Sequence, residues 1–119
     1  MNIHEQINFL EFPSRDIEKT KLFFSTVFNW EFQDYGPEYT CFVNEGLSAG
    51  FYLSDKSSLT ENGGALIVFY SKNLNETQSK ITDAGGSIIK PIFEFPGGSR
   101  FHFVDTTGNE FAVWSDQSV

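Results

Sequence analysis

Positive charge is scarce in this chain of 119 residues: eight Lys and Arg stand against 16 Asp and Glu, for a net charge of −8. A surface so poor in cations cannot neutralise a phosphate backbone or an anionic bilayer, which excludes nucleic acid and membrane as partners. Cysteine is scarcer still. Cys41 is alone, so no intramolecular disulfide can form, and no CxxC or His-rich zinc pattern exists. Flanked by β-prone residues, Cys41 reads as a small buried hydrophobe in a reducing compartment, which places the protein in the cytoplasm. No basic start leads into an apolar run, and no stretch approaches the ~20 apolar residues of a membrane span. A phosphate-cradling loop is missing too, because Pro96-Gly97-Gly98-Ser99-Arg100 lacks a strand-to-helix setting.

What the chain has in plenty is phenylalanine, 14 of them. Aromatics bury the most area per residue, so the core, or a cavity within it, is expected to be aromatic. A length of 119 residues suits one domain with a core that needs no disulfide or metal. Ile3–Phe12 ends in a β-prone run closed by Pro13. Asp16 then caps a helix in which Ile17, Phe24, Val27 and Phe28 recur at helical spacing. Strands follow at Trp30–Phe32, Tyr39–Asn44 and Leu47–Ser54, the last two joined by a tight Glu45-Gly46 turn. Ser57–Gly64 is a polar linker. The pattern then begins again: a strand at Ala65–Tyr70, a helix at Leu74–Ala84 stopped by Gly85-Gly86, and strands at Ser87–Ile92, Arg100–Val104 and Glu110–Ser115.

The order β-α-β-β-β therefore occurs twice, with module one over about residues 1–56 and module two over about 64–119. The repeat is visible in the residues. Asp16-Ile17 recurs 57 positions on as Asn73-Leu74, Thr20 as Thr77 and Phe24 as Ile81. In the last strands Ser54-Asp55 recurs 61 positions on as Ser115-Asp116. The fold class expected is α+β, two tandem βαβββ modules forming a curled mixed sheet around a cavity.

The string FLEFPSRDIEKTKLFFSTVFNWEF resembles the opening of the glyoxalase/bleomycin-resistance/dioxygenase (vicinal oxygen chelate) superfamily, with Asn29 where that family usually has Gly. The second half, through "AGG", "PGG.RF" and "D..GN.F..W", is similar to a bacterial subgroup related to lactoylglutathione lyase. The resemblance spans nearly the whole chain. It implies paired modules around a ligand cavity, and a homodimer. Enzymes of that family hold a divalent metal with His, Glu or Gln at four inward-facing strand positions. Carried over, those positions fall at Phe9, Phe51, Leu66 and Ala112, which are again 57 and 61 residues apart. None of these side chains can coordinate a metal, so no metal or other cofactor is expected. The nearest alternative donor set is Glu11, His102 and Glu110.

Alternation along strands puts further groups beside those positions. Glu11 shares a face with Phe9 and is the candidate general base. Arg100 and His102 share a face, and line the cavity unless Phe101 and Phe103 do so instead. Tyr70 and Trp114 continue the faces of Leu66 and Ala112. Glu110 follows a turn and is expected to be solvated, as is His4. Ligand contacts are thus expected from Phe9, Glu11, Phe51, Leu66, Tyr70, Arg100, His102, Ala112 and Trp114. Three functions fit. The first is a metal-free protein that binds a small apolar or aromatic molecule, cations included, in an aromatic cavity. The second is a lyase, isomerase or dioxygenase resembling lactoylglutathione lyase, using unconventional metal ligands or acid/base chemistry at Glu11. The third is a scaffold domain whose cavity is filled with Phe.

Overall fold

The computed structural model describes residues 2–43 and 47–119; the expected Glu45-Gly46 turn lies outside them. The elements run β1 (Phe9–Ser14), α1 (Ile17–Phe28), β2 (Gln33–Asp34), β3 (Tyr39–Phe42), β4 (Ser48–Leu53), a 3₁₀ turn (Thr60–Asn62), β5 (Ile67–Tyr70), α2 (Leu74–Asp83), β6 (Ser87–Phe95), β7 (Gly98–Val104) and β8 (Glu110–Ser115). They form two four-stranded mixed sheets, ordered β1-β4-β3-β2 and β5-β8-β7-β6. In each, the first strand pairs parallel with the last and the other pairings are antiparallel. This is the βαβββ unit twice, as the repeat predicts. No described helix is long and apolar enough to cross a membrane.

The repeat extends to single hydrogen bonds. Asp16 caps α1 by accepting from the Lys19 amide at 3.1 Å, and Asn73 caps α2 by accepting from the Glu76 amide at 3.1 Å. A capping oxygen satisfies one of the free amides that every helix start leaves. Before each cap a strand-end serine reaches a helix threonine: Ser14 Oγ to Thr20 Oγ1 and Ser71 Oγ to Thr77 Oγ1, both at 2.7 Å. Each of these residues lies 57 positions from its counterpart. Helix α1 ends at Asn29 with φ 62°, the left-handed conformation that Gly or Asn adopts most readily. That accounts for Asn where relatives carry Gly.

One expected strand is shorter, and the one expected at Trp30–Phe32 is displaced to Gln33–Asp34. Residues 3–8 are not a strand, because β4, the parallel partner of β1, begins at Ser48 opposite Phe9. Trp30 leaves the helix into the core, stacking on Phe42 at 3.6 Å and Phe24 at 4.7 Å, so β2 is only Gln33–Asp34.

One hydrophobic core draws on both modules. The ring of Phe24, fully buried, lies 5.3 Å from Phe51 of the first sheet and 5.5 Å from Phe111 of the second. Phe12 bridges the same gap to Phe111 at 5.3 Å. Polar groups close the seam. Asp105 Oδ1 accepts from the amides of Thr107 and Asn109 and from Thr107 Oγ1, which shapes the β7–β8 loop. That loop aims Asn109 across the seam. Its Nδ2 donates to the Pro13 carbonyl at 2.7 Å, and its Oδ1 accepts from the Ser58 amide at 2.8 Å. The first bond is buried and the second partly so, and their loss leaves two backbone groups without this partner. Asn109→Ala is expected to cost about 3 kcal/mol, read as a lowered urea midpoint with an unchanged m-value.

Candidate functional site

Alternation along β7 and β8 sorts the second sheet into two faces. Phe101, Phe103, Phe111 and Val113 are fully buried in the shared core. Arg100, His102, Glu110, Ala112 and Trp114 therefore occupy the opposite, open face. Cross-strand pairs bring them together: Arg100 opposite Trp114, His102 opposite Ala112 and Val104 opposite Glu110. From the other side β6 adds Phe93 opposite Arg100 and Lys90 opposite His102. Of the two faces open to the sequence reading, the structure selects Arg100 and His102 over Phe101 and Phe103.

His102 is held at both ring nitrogens. Arg100 Nη2 and Nε lie 2.9 and 3.2 Å from Nε2. A guanidinium only donates, so Nε2 accepts and the ring proton sits on Nδ1. Nδ1 in turn faces Glu110 Oε2 at 3.4 Å. The other carboxylate oxygen of Glu110 accepts from the amide and hydroxyl of Thr60 at 2.9 and 2.8 Å. Glu110 is thus buried and bonded, contrary to its expected solvation: the 57–64 segment passes over it as a strap. Burial alone would raise the Glu110 pKa, but the hydrogen bonds from Thr60 and His102 outweigh it and hold the carboxyl below its ordinary value. The His102 pKa is lowered, first by burial and then by the charges of Arg100 and Lys90, against an opposing pull from Glu110. Its imidazole is neutral at pH 7. Beside it lies a cleft of ≈ 410 Å³ lined by Lys90, His102, Val104, Glu110, Ile89 and Leu59.

The first sheet has its own open face. Tyr39 Oη donates to Glu11 Oε2 at 2.7 Å. The phenol pKa is pushed up to about 12 by burial and by that carboxylate. The ring lies across Gly50, where any Cβ would collide with it. Phe9 and Tyr52 flank the pair, 40% and 42% exposed.

Several expected site residues are placed differently. Phe51 is fully buried and packs on Phe12 and Phe24 in the core, so it cannot line the open face. Its ladder explains the slip. Phe51 pairs with Phe12, and Val113 pairs with Phe69, so the last strands repeat at 62 residues and the partner of Ala112 is Gly50. Glu11 is exposed and belongs to the first sheet, whereas His102 and Glu110 belong to the second. No group of three or more His, Cys, Asp or Glu able to hold a metal occurs among the described residues. With the register corrected, the four positions that the family resemblance implies for metal donors become Phe9, Gly50, Leu66 and Ala112. Hydrocarbon and a bare backbone do not fit a divalent ion.

Tyr70 and Trp114 do share the open face, 5.2 Å apart edge to face, with Tyr70 donating to Asp116 at 2.6 Å. Leu66 is partly buried and immediately precedes β5. Cys41 is buried, as expected. His4 is exposed. The sequence reading missed Thr60, Lys90, Phe93 and Phe95. Thr60 reaches Glu110 across 50 residues, a contact no local pattern reveals. Phe93 and Phe95 escaped notice because β6 was expected to stop at Ile92, and Lys90 because only its pairing with His102 places it at the site. It also missed a second, apolar cleft of ≈ 240 Å³ between the modules, lined by Leu10, Trp30, Phe42, Ile67, Val68 and Phe69.

The family model of the Glyoxalase/Bleomycin resistance protein/Dioxygenase superfamily matches residues 6–113. This chain belongs to that superfamily. Its fold is shared with solved members at low identity. A glyoxalase/bleomycin resistance protein/dioxygenase family enzyme of Burkholderia phytofirmans is 16% identical, with a TM-score of 0.78 over 92% of this chain and 98% of that one. The fosfomycin resistance protein FosX of Listeria monocytogenes, in a mutant form complexed with Mn(II) and 1S,2S-dihydroxypropylphosphonic acid, is 22% identical, with a TM-score of 0.75 over 99% and 94%. TioX of Micromonospora is 14% identical, with a TM-score of 0.70 over 93% and 98%. No curated protein matches in sequence. At these identities the likeness is one of fold, and this superfamily member's chemistry rests on its own residues.

A buried, neutral histidine has a measurable consequence. Its folded pKa lies below its unfolded value of 6.5, so its contribution is present above that value and is lost as pH falls through the folded pKa. Stability measured by urea is expected to fall from about pH 6.5 downward, by at most about 1.4 kcal/mol per pH unit, and His102→Gln should flatten that slope.

Proposed function

We propose that this chain is a small-molecule binding member of the superfamily that works without the divalent metal of its enzymatic relatives. The ligand lies on the open face of the second sheet, against Arg100 and the neighbouring rings, with the cleft that Lys90 and His102 line at one side. The observation that carries this reading is the exchange of groups at the site: carbon and a bare glycine where relatives place donors, and a fixed Arg100–His102–Glu110 line bordered by Phe93, Phe95 and Trp114. Aromatic surface with a few convergent polar groups is the usual form of a small-molecule site. Two rigid hydrogen bonds from Thr60 hold Glu110, and Glu110 and Arg100 hold His102, so the polar groups are oriented before any ligand arrives.

The general-base role considered for Glu11 has less support. Tyr39 already donates to its carboxylate, and it stands on the other sheet. The proposal includes a cytoplasmic location, with which a single buried thiol is in keeping.

The test uses the purified protein with Trp30 replaced by Phe, so that Trp114 is the only indole. Planar aromatic compounds are expected to quench its fluorescence saturably and to raise the melting temperature, since a ligand that binds only the folded state stabilises it. Equilibrium dialysis against Mn(II) and Zn(II) is expected to leave no stoichiometric metal. A tightly retained divalent ion would overturn the reading.

The reading includes a homodimer. Phe9, Tyr52, Val68 and Tyr70 are each 40% or more exposed on the open faces, two of them on each sheet. Large apolar side chains gathered in this way favour coverage by a second copy. Light scattering is expected to give twice the chain mass of 13.5 kDa; a monomer at micromolar concentration would remove the second copy from the proposal.

A further inference from the structure

The chain has twice as many acids as bases, yet at the open face of the second sheet two cations stand beside one ring and neither is ion-paired among the described residues. Lys90 Nζ lies 5.3 Å and Arg100 Cζ 5.8 Å from the centroid of one ring, that of Phe93. The ring of His102 is 5.9 Å from the same centroid. Neither Lys90 nor Arg100 is among the ion pairs of the described residues, which involve His4, Lys21 and His102. Arg100 directs two of its donors at a single imidazole lone pair, a weak acceptor set for a guanidinium that has five N–H groups.

Three acids lie in the surroundings, and none of them pairs with Lys90 or Arg100. Glu110 has one oxygen on Thr60 and the other toward Nδ1 of His102, on the far side of the ring from Arg100. Glu94 follows Phe93 in β6 and pairs across to Ser99, so alternation turns it to the other face. Glu61 is an exposed residue on the cleft wall that the 57–64 strap supplies. The geometry points to an external anion as the missing partner.

We propose that Arg100 and Lys90 bind the carboxylate of a small aromatic acid, with its ring against Phe93, Phe95 and Trp114. A carboxylate matches the guanidinium fork with two parallel hydrogen bonds, which an imidazole nitrogen cannot do. Lys90 adds a second charge from the cleft side. The hydrocarbon half has a surface to meet: Phe95 and Trp114 are 6.2 Å apart, and the Arg100 guanidinium lies 5.9 Å from the Phe95 centroid. When the carboxylate takes the fork, His102 Nε2 is freed to face the ligand while Glu110 still holds Nδ1. This rests on the second sheet's open face being the ligand site, and it narrows the class from aromatic molecules in general to aromatic anions. It also sets aside a cationic ligand at this face, because Arg100 and Lys90 would repel one.

The probes are benzoate, benzamide, benzylamine and acetate, titrated by calorimetry and followed by melting temperature with the wild-type protein. Benzoate is expected to bind saturably, and benzamide about tenfold or more weaker for want of the charge-assisted bonds. Arg100→Gln and Lys90→Gln should each weaken benzoate by a similar factor, with Arg100→Lys restoring part of the loss. Lys90 is exposed, so its variant carries the test even if the Arg100 variants fold poorly. Benzoate that fails to bind, or that binds no better than benzamide, would overturn the anion inference. Benzylamine binding in place of benzoate would do the same while leaving the small-molecule reading intact. Acetate binding as tightly as benzoate would remove the aromatic half. Silence of every aromatic compound, neutral ones included, would instead sink the function proposed above.

Discussion

Strict alternation along β7 and β8 is the constraint on which the site depends. A strand places successive side chains on opposite faces, and these two strands use both faces to the full. Phe101, Phe103, Phe111 and Val113 are fully buried on one side, and Arg100, His102, Ala112 and Trp114 stand on the other. The polar groups are therefore anchored by the same backbone that the core holds rigid. A one-residue slip would bury Arg100 among phenylalanines and expose the phenylalanines to water, so register and site are specified together. Two modules then share one core through Phe24 and Phe12, which fixes the second sheet against the first.

The architecture was legible because the repeat is carried by residues with local jobs. Asp16 and Asn73 are caps whose side chains bond the amide three positions on, and Ser14–Thr20 and Ser71–Thr77 lock each cap to its strand. Such contacts span few residues, so sequence spacing reveals them. The last strand of module one was harder. Ser48–Leu53 carries Ala49, Gly50, Phe51, Tyr52 and Leu53 in succession, a run with no polar beat to betray its phase. The match of Ser54-Asp55 with Ser115-Asp116 suggested an offset of 61. The ladders give 61 for β3 against β7 and 62 for β4 against β8, so the second module holds one extra residue between them. That single residue moves Phe51 from the expected site into the core and puts Gly50 in its place.

Long-range contacts account for what stayed hidden. Thr60 sits in a segment whose composition says only that it is polar and bears glycine. Its two hydrogen bonds to Glu110 turn that segment into part of the site, and they convert a carboxylate that looked solvated into the support of His102. Lys90, Phe93 and Phe95 likewise have no motif. The register shifts in β6 between Ile88 and Lys90, and again between Lys90 and Phe93, set Lys90 opposite His102 and Phe93 opposite Arg100, while Phe95 pairs with Gly98.

On the proposed reading, a face without metal donors is not chemically blank; other forces hold its ligand. A divalent ion concentrates binding at one point and tolerates wet, polar surroundings. Here the available terms are a planar cation, a second cation beside it, a neutral imidazole of fixed tautomer and several aromatic faces. The Arg100 charge is worth more where His102 and Trp114 keep part of the water away than it would be on an open surface. A ligand suited to these groups must offer a planar anion and a ring at once, because neither alone repeats what the metal supplied. The net charge of −8 sharpens that requirement. At long range the protein repels anions, so selectivity has to come from contacts made within the site, and free inorganic anions with no ring to bury gain little there.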